Sequence, residues 1–322
     1  MRAAVLHQPQ PVAAGPLHIE DVPIPQASAG HVLLRVRACG VCRTDLHIVE
    51  GELPPLDRAL IPGHQIVGEA AGKRFGVCWL AGTDGTCWYC RHGMENLCDA
   101  ATFTGYHVDG GYAEYALART DFVFPLPEAL TDLDAAPLLC AGIIGFRSLR
   151  VAGVEKGERV GLFGFGASAH LAIEVLRAWK CPVYVSTRGA SHRKLAESMG
   201  AEWVGDEHSG PPVPLDRAIT FAPSGDVVVA ALSSLRKGGV VAINAIHLDR
   251  IPEFDYDRLL WGERQLRSVA NMTREDARDF LSLAQALDFD QEVTEFPLDQ
   301  ANQALEAVKL ETAGQSTVIV IR

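Results

Sequence analysis

Three thiols crowd one short stretch of the chain: Cys87 and Cys90 form a Cys-x-x-Cys pair, and Cys98 follows within the same loop-rich excursion, Gly82 to Asp99. Asp84 lies one Cys-x-x-Cys step earlier. A structural zinc ion takes four anionic or imidazole donors at such spacing, because a tight loop then closes around the ion with little chain entropy to lose. A carboxylate is acceptable as the fourth donor, so Asp84, Cys87, Cys90 and Cys98 read as a structural zinc lobe with Trp88, Tyr89 and Leu97 as its small apolar lining. The competing reading is a set of reduced thiols with no metal.

A second set is scattered. Cys42 stands in Val41-Cys42-Arg43-Thr44-Asp45-Leu46-His47, His64 in Pro62-Gly63-His64-Gln65, and Cys140 in Leu138-Leu139-Cys140-Ala141-Gly142. A catalytic zinc needs three protein donors and one open position, and donors from distant segments suit a site in a cleft between domains. Taken singly, each of these residues would pass for part of a core. The set carries the reading.

A third feature is a glycine turn. Arg159 to Phe163 is a short apolar strand that runs straight into Gly164-Phe165-Gly166-Ala167-Ser168-Ala169 and a helix. Gly164 would make the tight turn, Gly166 would let the backbone approach a pyrophosphate, and Ala169 would let helix and strand pack, with the helix N-terminus facing the phosphates. Glycines that merely close a βα turn are the alternative; the flanking strand, helix and second strand favour a dinucleotide. That second strand ends at Thr187-Arg188, where an NAD-binding sheet usually presents a carboxylate to the ribose. A guanidinium there suits a 2′-phosphate, so NADP is preferred and NAD remains possible. Arg188 as a solvated loop residue is the bland alternative.

The elements that must position these groups change character along the chain. Up to about residue 130, Gly and Pro punctuate irregular, mostly antiparallel β structure, including an alternating strand from Val32 to Arg37. After Leu130, apolar strands alternate with helices: Arg159 to Phe163, Ala167 to Lys180, Val183 to Thr187, Ser191 to Met199, Leu215 to Phe221 and Gly239 to Ala245. That alternation argues for βαβ units and a parallel sheet. A tail of helix (Arg274 to Leu287), strand (Glu292 to Phe296), helix (Asp299 to Leu310) and strand (Ser316 to Ile321) is too small for a domain and is expected to pack on the N-terminal part.

With 322 residues and 48% hydrophobic content the chain is globular and above the size of one usual core, so two domains are expected. Its net charge of −11 is spread out and Lys and Arg form no stripe, which argues against nucleic acid. No signal peptide is evident, and the apolar stretches around Ala135 to Phe146 and Val227 to Leu232 read as shorter than the roughly 20 residues a bilayer requires. A cytoplasmic protein is expected, in which eight cysteines are seldom disulfides.

Together these segments resemble the zinc-containing medium-chain dehydrogenase/reductase family, specifically its bacterial alcohol dehydrogenases, over essentially the whole chain. The matching motifs are Gly40-Val-Cys-Arg-Thr-Asp-Leu-His47, Pro62-Gly-His64, Cys87-x-x-Cys90-x7-Cys98, Gly110-Gly-Tyr-Ala-Glu-Tyr115, Ala136-Pro-Leu-Leu-Cys-Ala-Gly142 and the glycine turn. The resemblance implies an α/β chain: a mostly β GroES-like catalytic domain over 1–137 and 272–322, and a Rossmann doubly wound parallel-sheet domain over 138–271. It implies that Cys42, His64 and Cys140 hold a catalytic zinc, that Asp45 orients His64, and that Arg43 reaches the pyrophosphate with Gly164, Gly166, Ala167, Ser168, Thr187 and Arg188 on the rest of the cofactor. Thr44 would take the alcohol's proton and His47 would release it through the cofactor ribose, though His47 also reads as a surface histidine on a first helical turn. Two zinc ions per chain, a small-molecule alcohol or aldehyde, and a homodimer or homotetramer complete the expectation.

Several positions depart from the family's pattern. Gln65 replaces a glutamate beside the histidine ligand, Asp84 replaces the first lobe cysteine, Ile66 to Gly76 is shorter than the usual β region, and Gly314-Gln315-Ser316 lacks an arginine often found on the pyrophosphate. Trp79 resembles an aromatic that lines the substrate pocket and would favour small primary alcohols and their aldehydes; it also reads as a core residue. Rival functions are a zinc-free quinone or enoyl reductase of the same fold, and a catalytically silent nucleotide-binding protein in which zinc only stabilises the lobe. The metal donors argue against the first, and Thr44 with His47 against the second.

Overall fold

The computed structural model describes residues 1–206, 209–246, 248–287, 289, 291–312 and 315–322. Gly314 therefore lies outside the described residues. The chain divides into two compact units: Met1–Cys140 with Asn271–Ala286 and Asp290–Arg322, and Ala141–Ala270 with Leu287–Phe289.

The first unit is organised by the strand His31–Val41. Its N-terminal half pairs antiparallel with Tyr115–Arg119, and Ala38 to Val41 pairs antiparallel with the closing strand Ser316–Val320. Gln65–Ala70 also pairs with it, with a register shift between Val36 and Ala38 that bends the ribbon. Lys73–Val77, Val123–Pro125 and Val293–Pro297 complete a sheet of seven strands. The apolar faces of these strands meet in one core that includes Leu34, Val36, Ile66, Val77 and Tyr112, and to which the C-terminal helix Ala301–Leu310 contributes Ala304 and Leu305.

Register is what gathers chemistry here. Gly40 pairs with Gln65, so Cys42, two residues beyond Gly40, and His64, one residue before Gln65, emerge at the same end of the sheet. Cys42 then opens the helix Arg43–Val49.

The loop before His64 is clamped by glycines. Gly111 and Tyr112 donate N–H bonds to the carbonyls of Gly63 (2.8 Å) and Pro62 (3.0 Å). A Cβ at Gly110 would lie 2.1 Å from the Gly63 carbonyl oxygen and 2.5 Å from that of Pro62. Gly63 itself has φ of +95°, and a side chain there would meet the Tyr112 ring. Backbone packs on backbone, which only glycine allows.

The second unit is a sheet of six parallel strands in the spatial order Trp203–Gly205, Val183–Ser186, Val160–Phe163, Leu215–Thr220, Leu235–Ile243, Gln265–Ser268. Numbered along the chain this is 3-2-1-4-5-6, the doubly wound Rossmann order, with its switch point beside the first strand. The fifth strand begins at Leu235 rather than Gly239. The expected Rossmann architecture and the β-rich first unit are both present.

One expectation is corrected. Asp132–Ala152 forms a continuous helical run of 21 residues, made of Asp132–Pro137, a π-helical turn Leu138–Gly142 and Ile143–Ala152, and it is long and apolar enough by length and composition to cross a membrane. The length argument from sequence failed because the periodic stretch continues beyond the apolar core of residues that marks it. Within the fold 67% of its apolar window is buried, as in a core helix.

Replacing Gly110 by Ala forces a methyl group into two carbonyls next to the His64 loop. We expect destabilisation of about 2–4 kcal/mol, read by thermal denaturation; a variant as stable as the wild type would contradict the clamp.

Candidate active site

Asp45 is the hub of the first donor set. It is fully buried, as is His64. Its Oδ1 lies 3.0 Å from Nδ1 of His64, and its Oδ2 accepts the backbone N–H of Cys42 at 2.9 Å. One carboxylate thus fixes the imidazole ring and the strand-to-helix corner that carries the thiol. With Nδ1 committed, Nε2 is the free nitrogen, and it sits 3.4 Å from Sγ of Cys42.

Cys140, in the π-helical turn Leu138–Gly142, supplies the third donor. Such a turn widens the helix locally and re-aims one side chain, a feature frequent at functional sites. The donor atoms of Cys42, His64 and Cys140 all lie within 4.8 Å of one another. Donors about 2.1–2.3 Å from a tetrahedral zinc are themselves about 3.5–3.8 Å apart. Two sulfurs and one oriented imidazole at this separation fit that ion.

Electrostatics points the same way. Burial disfavours the His64 imidazolium, but the Asp45 carboxylate and Cys42 outweigh it and lift its pKa to about 10. The Cys42 thiol is pushed well up by Cys140 alongside it and by burial. Without an ion, His64 and Cys42 are thus held toward their protonated forms, and a metal bound there would have to displace those protons.

The second donor set is the lobe. Oδ1 of Asp84 accepts the N–H groups of Thr86 (2.8 Å) and Cys87 (2.9 Å), which hold its carboxyl well below the usual carboxylate range. Oδ2 accepts neither bond. Cys90 donates its N–H to Sγ of Cys87 at 3.5 Å, so the knuckle is already formed. Asp84, Cys87, Cys90 and Cys98 gather their ligand atoms within 4.8 Å and fit a closed four-donor zinc site. Nearby, Glu95 receives a forked pair of bonds from Arg274 (Nε–Oε1 3.0 Å, Nη2–Oε2 2.5 Å) and so ties the lobe to the helix Arg274–Ala284. The sequence carried no mark of that tie, since its partners lie far apart along the chain.

Around the first set, Trp79 sets its edge against His64 (ring centroids 5.1 Å) and stacks on Phe103 at 4.9 Å. It is half-buried and packs on the core, with its ring edge against His64. Gln65 is buried, and a Cβ at Gly40 would strike its side chain at 2.9 Å. The glycine at 40 makes room for it.

Thr44 and His47 lie three residues apart on the helix Arg43–Val49 and share a face. Nδ1 of His47 pairs with Glu52 at 2.5 Å, a partner the sequence reading missed. Arg43 pairs with Glu311 at 2.5 Å, so its guanidinium is engaged by a carboxylate.

In the second unit, Gly164 has φ of +93° and a Cβ there would lie 2.8 Å from the backbone nitrogen of Ala222. A Cβ at Gly166 would meet no atom within 4 Å, so the space over the turn is open. The helix Ala167–Ala178 begins there with no side-chain cap, leaving first-turn N–H groups for an anion. Ala169 is fully buried, as helix-on-strand packing requires. Thr187 is buried and Arg188 exposed. Arg193, unremarked in the sequence, bonds the carbonyls of Thr187 (3.0 Å) and Arg188 (2.6 Å) and adds a second guanidinium at this strand end.

Comparison with known proteins decides the family. The model of the alcohol dehydrogenase GroES-like domain matches residues 28–128. A probable alcohol dehydrogenase, AdhA, of Mycobacterium tuberculosis is 43% identical over 337 aligned residues that span 100% of this chain and 97% of the relative. The chain belongs to the zinc-containing medium-chain dehydrogenase/reductase family, among its bacterial alcohol dehydrogenases. An alcohol dehydrogenase of Geobacillus stearothermophilus is 33% identical, covering 88% of this chain and 89% of the relative. Among solved structures, a zinc-binding dehydrogenase of Sinorhizobium meliloti bound to NADP superposes with a TM-score of 0.87 at 25% identity, covering 99% of this chain and 98% of its own.

Proposed function

We propose that this alcohol dehydrogenase homologue is a zinc-dependent alcohol dehydrogenase and aldehyde reductase, using two zinc ions per chain and preferring NADP(H) to NAD(H). The observation that carries the reading is the convergence of Cys42, His64 and Cys140 on one point, with Asp45 orienting the imidazole. Zinc held there supplies Lewis-acid polarisation of an alcohol or carbonyl oxygen, and the dinucleotide supplies the carrier that takes or gives the hydride.

The chain's own residues do the rest. Cys42, His64 and Cys140 would hold the ion with three protein donors, the number a catalytic zinc uses beside its substrate oxygen. Trp79 and Phe103 present an apolar wall beside His64, in keeping with small primary alcohols and their aldehydes. Thr44 would receive the hydroxyl proton of the alcohol, and His47 on the same helical face would pass it on to solvent. Asp84, Cys87, Cys90 and Cys98 hold the second, structural ion.

Ala167 and Ser168, in the first turn after Gly164 and Gly166, would hold the pyrophosphate; for Arg43 to serve a phosphate its guanidinium would have to leave Glu311. Arg188, with the hydroxyl of Thr187 and the neighbouring Arg193, suits a 2′-phosphate, and the NADP complex of the Sinorhizobium relative is in keeping with that choice. The open edge strand Gln265–Ser268, with Trp261 and Tyr256 exposed nearby, supports assembly into a homodimer or homotetramer by sheet extension.

A zinc-free reductase would have no use for three donors at one point. Cys42→Ala is therefore expected to remove one of two zinc ions and abolish NADPH-linked aldehyde reduction, measured by elemental analysis and absorbance at saturating aldehyde; full activity in that variant would return the zinc-free reading. Arg188→Ala is expected to weaken NADPH binding about 10-fold or more while leaving NADH nearly unchanged, read by fluorescence titration; equal losses would overturn the NADP preference.

A further inference from the structure

The turn that follows the helix Arg43–Val49 carries two acids with different assignments. Gly51, at φ of +78°, reverses the chain, and the N–H groups of Glu52 (2.8 Å) and Leu53 (3.3 Å) both bond back to the carbonyl of His47. A side chain at 51 would press on Pro9 at 3.0 Å, so this reversal is also packed from outside. The Glu50 carboxylate is committed elsewhere: its Oε1 accepts the N–H of Val12 (2.8 Å) and the ammonium of Lys309 (2.7 Å). Glu52 alone of the two reaches the imidazole, with Oε2 2.5 Å from Nδ1.

An ionised carboxylate only accepts hydrogen bonds, so the ring nitrogen facing it must carry the proton. A neutral imidazole has one N–H and one lone pair; without a partner either nitrogen can hold the proton. We infer that Glu52 is a positioning residue for His47: it keeps the proton on Nδ1 and leaves Nε2 as the lone-pair atom that accepts the proton in alcohol oxidation. The inference rests on the relay assigned to His47 above. Proton balance is simple. Nε2 takes one proton, the resulting imidazolium faces the Glu52 carboxylate, and Nε2 then gives that proton to solvent with Nδ1–H unchanged.

Glu50 also faces His47 through its charge, but its carboxylate is bonded to Val12 and Lys309. Arg43, one turn earlier on the same helix, pairs with Glu311, and Lys309 of the packed helix Ala301–Leu310 pairs with Glu50. As a stabilising contact alone, the pair would be worth little, because Glu52 is about half exposed, at 49%. Its consequence lies in the tautomer.

The test uses the full zinc-loaded chain with Glu52→Ala and Glu52→Gln, because the glutamine oxygen still accepts from Nδ1 while alanine cannot. Nitrogen-15 correlation spectra of histidine-labelled protein should show His47 protonated on Nδ1 in the wild type and in Glu52→Gln, and not confined to that tautomer in Glu52→Ala. Turnover in alcohol oxidation should fall at least about 10-fold in Glu52→Ala, with KM for the alcohol and zinc content unchanged and most of the rate restored in Glu52→Gln. On a His47→Ala background, Glu52→Ala should cost nothing further. A wild-type ring protonated on Nε2, an unchanged turnover in Glu52→Ala, or an undiminished loss on the His47→Ala background would overturn the inference. A wild-type chain that oxidises no alcohol with either cofactor would overturn the relay itself, and Glu52's catalytic part with it; the spectra still report the tautomer separately.

Discussion

A carboxylate cannot sit fully buried without partners, and Asp45 meets that demand in a way that builds the site. One oxygen takes the backbone N–H of Cys42 and the other faces the imidazole of His64, so two donors from separate strands share one buried anion. Desolvating an ion costs several kcal/mol, and only hydrogen bonds and an opposite charge offset it. With no metal, a proton on His64 provides that charge. Were a metal held by His64, the same carboxylate would steady the polarised ring. Orientation and charge come from the same group.

The scaffold exists to hold that anion's partners in register. Pairing of Gly40 with Gln65 brings Cys42 and His64 to one end of the sheet; behind the histidine a side chain at Gly110 would strike backbone carbonyls, and side chains at Gly63 and Gly111 would strike Tyr112, Cys39 and Ile66. Cys140 reaches the same point from a widened helical turn rather than a regular one. The glycine turn in the other unit shows the same economy of side chains: Gly164 lies where backbone crowds it, and Gly166 lies beside open space. In both places the absence of a Cβ is what the local geometry requires.

Much of this was legible in residue types and spacing. Cys-x-x-Cys at 87 and 90 closes locally, so its lobe could be read from sequence and appears with Asp84 and Cys98 around one point. The glycine turn was legible because strand, turn and helix are contiguous. What sequence could not carry was geometry between distant residues: the π-helical turn at Cys140, the tie between Glu95 and Arg274, and Arg193 folding back on the Thr187 strand end. Glu52 left a fainter trace, an acid just past a helix-ending glycine, which becomes meaningful only once the reversal at Gly51 is known. The bilayer estimate failed for a related reason. Composition alone does not say that apolar turns on either side of a proline will join into one run.

The most direct measurement of the central claim is the zinc affinity of the Cys42, His64 and Cys140 site in Asp45→Asn, determined by competition with a chelator, with the lobe ion as internal reference. Loss of the buried charge should weaken zinc at this site about 10- to 100-fold and leave the lobe unaffected. Equal affinity in the wild type and the variant would contradict the account, because the donors would then be held without the anion that is said to organise them.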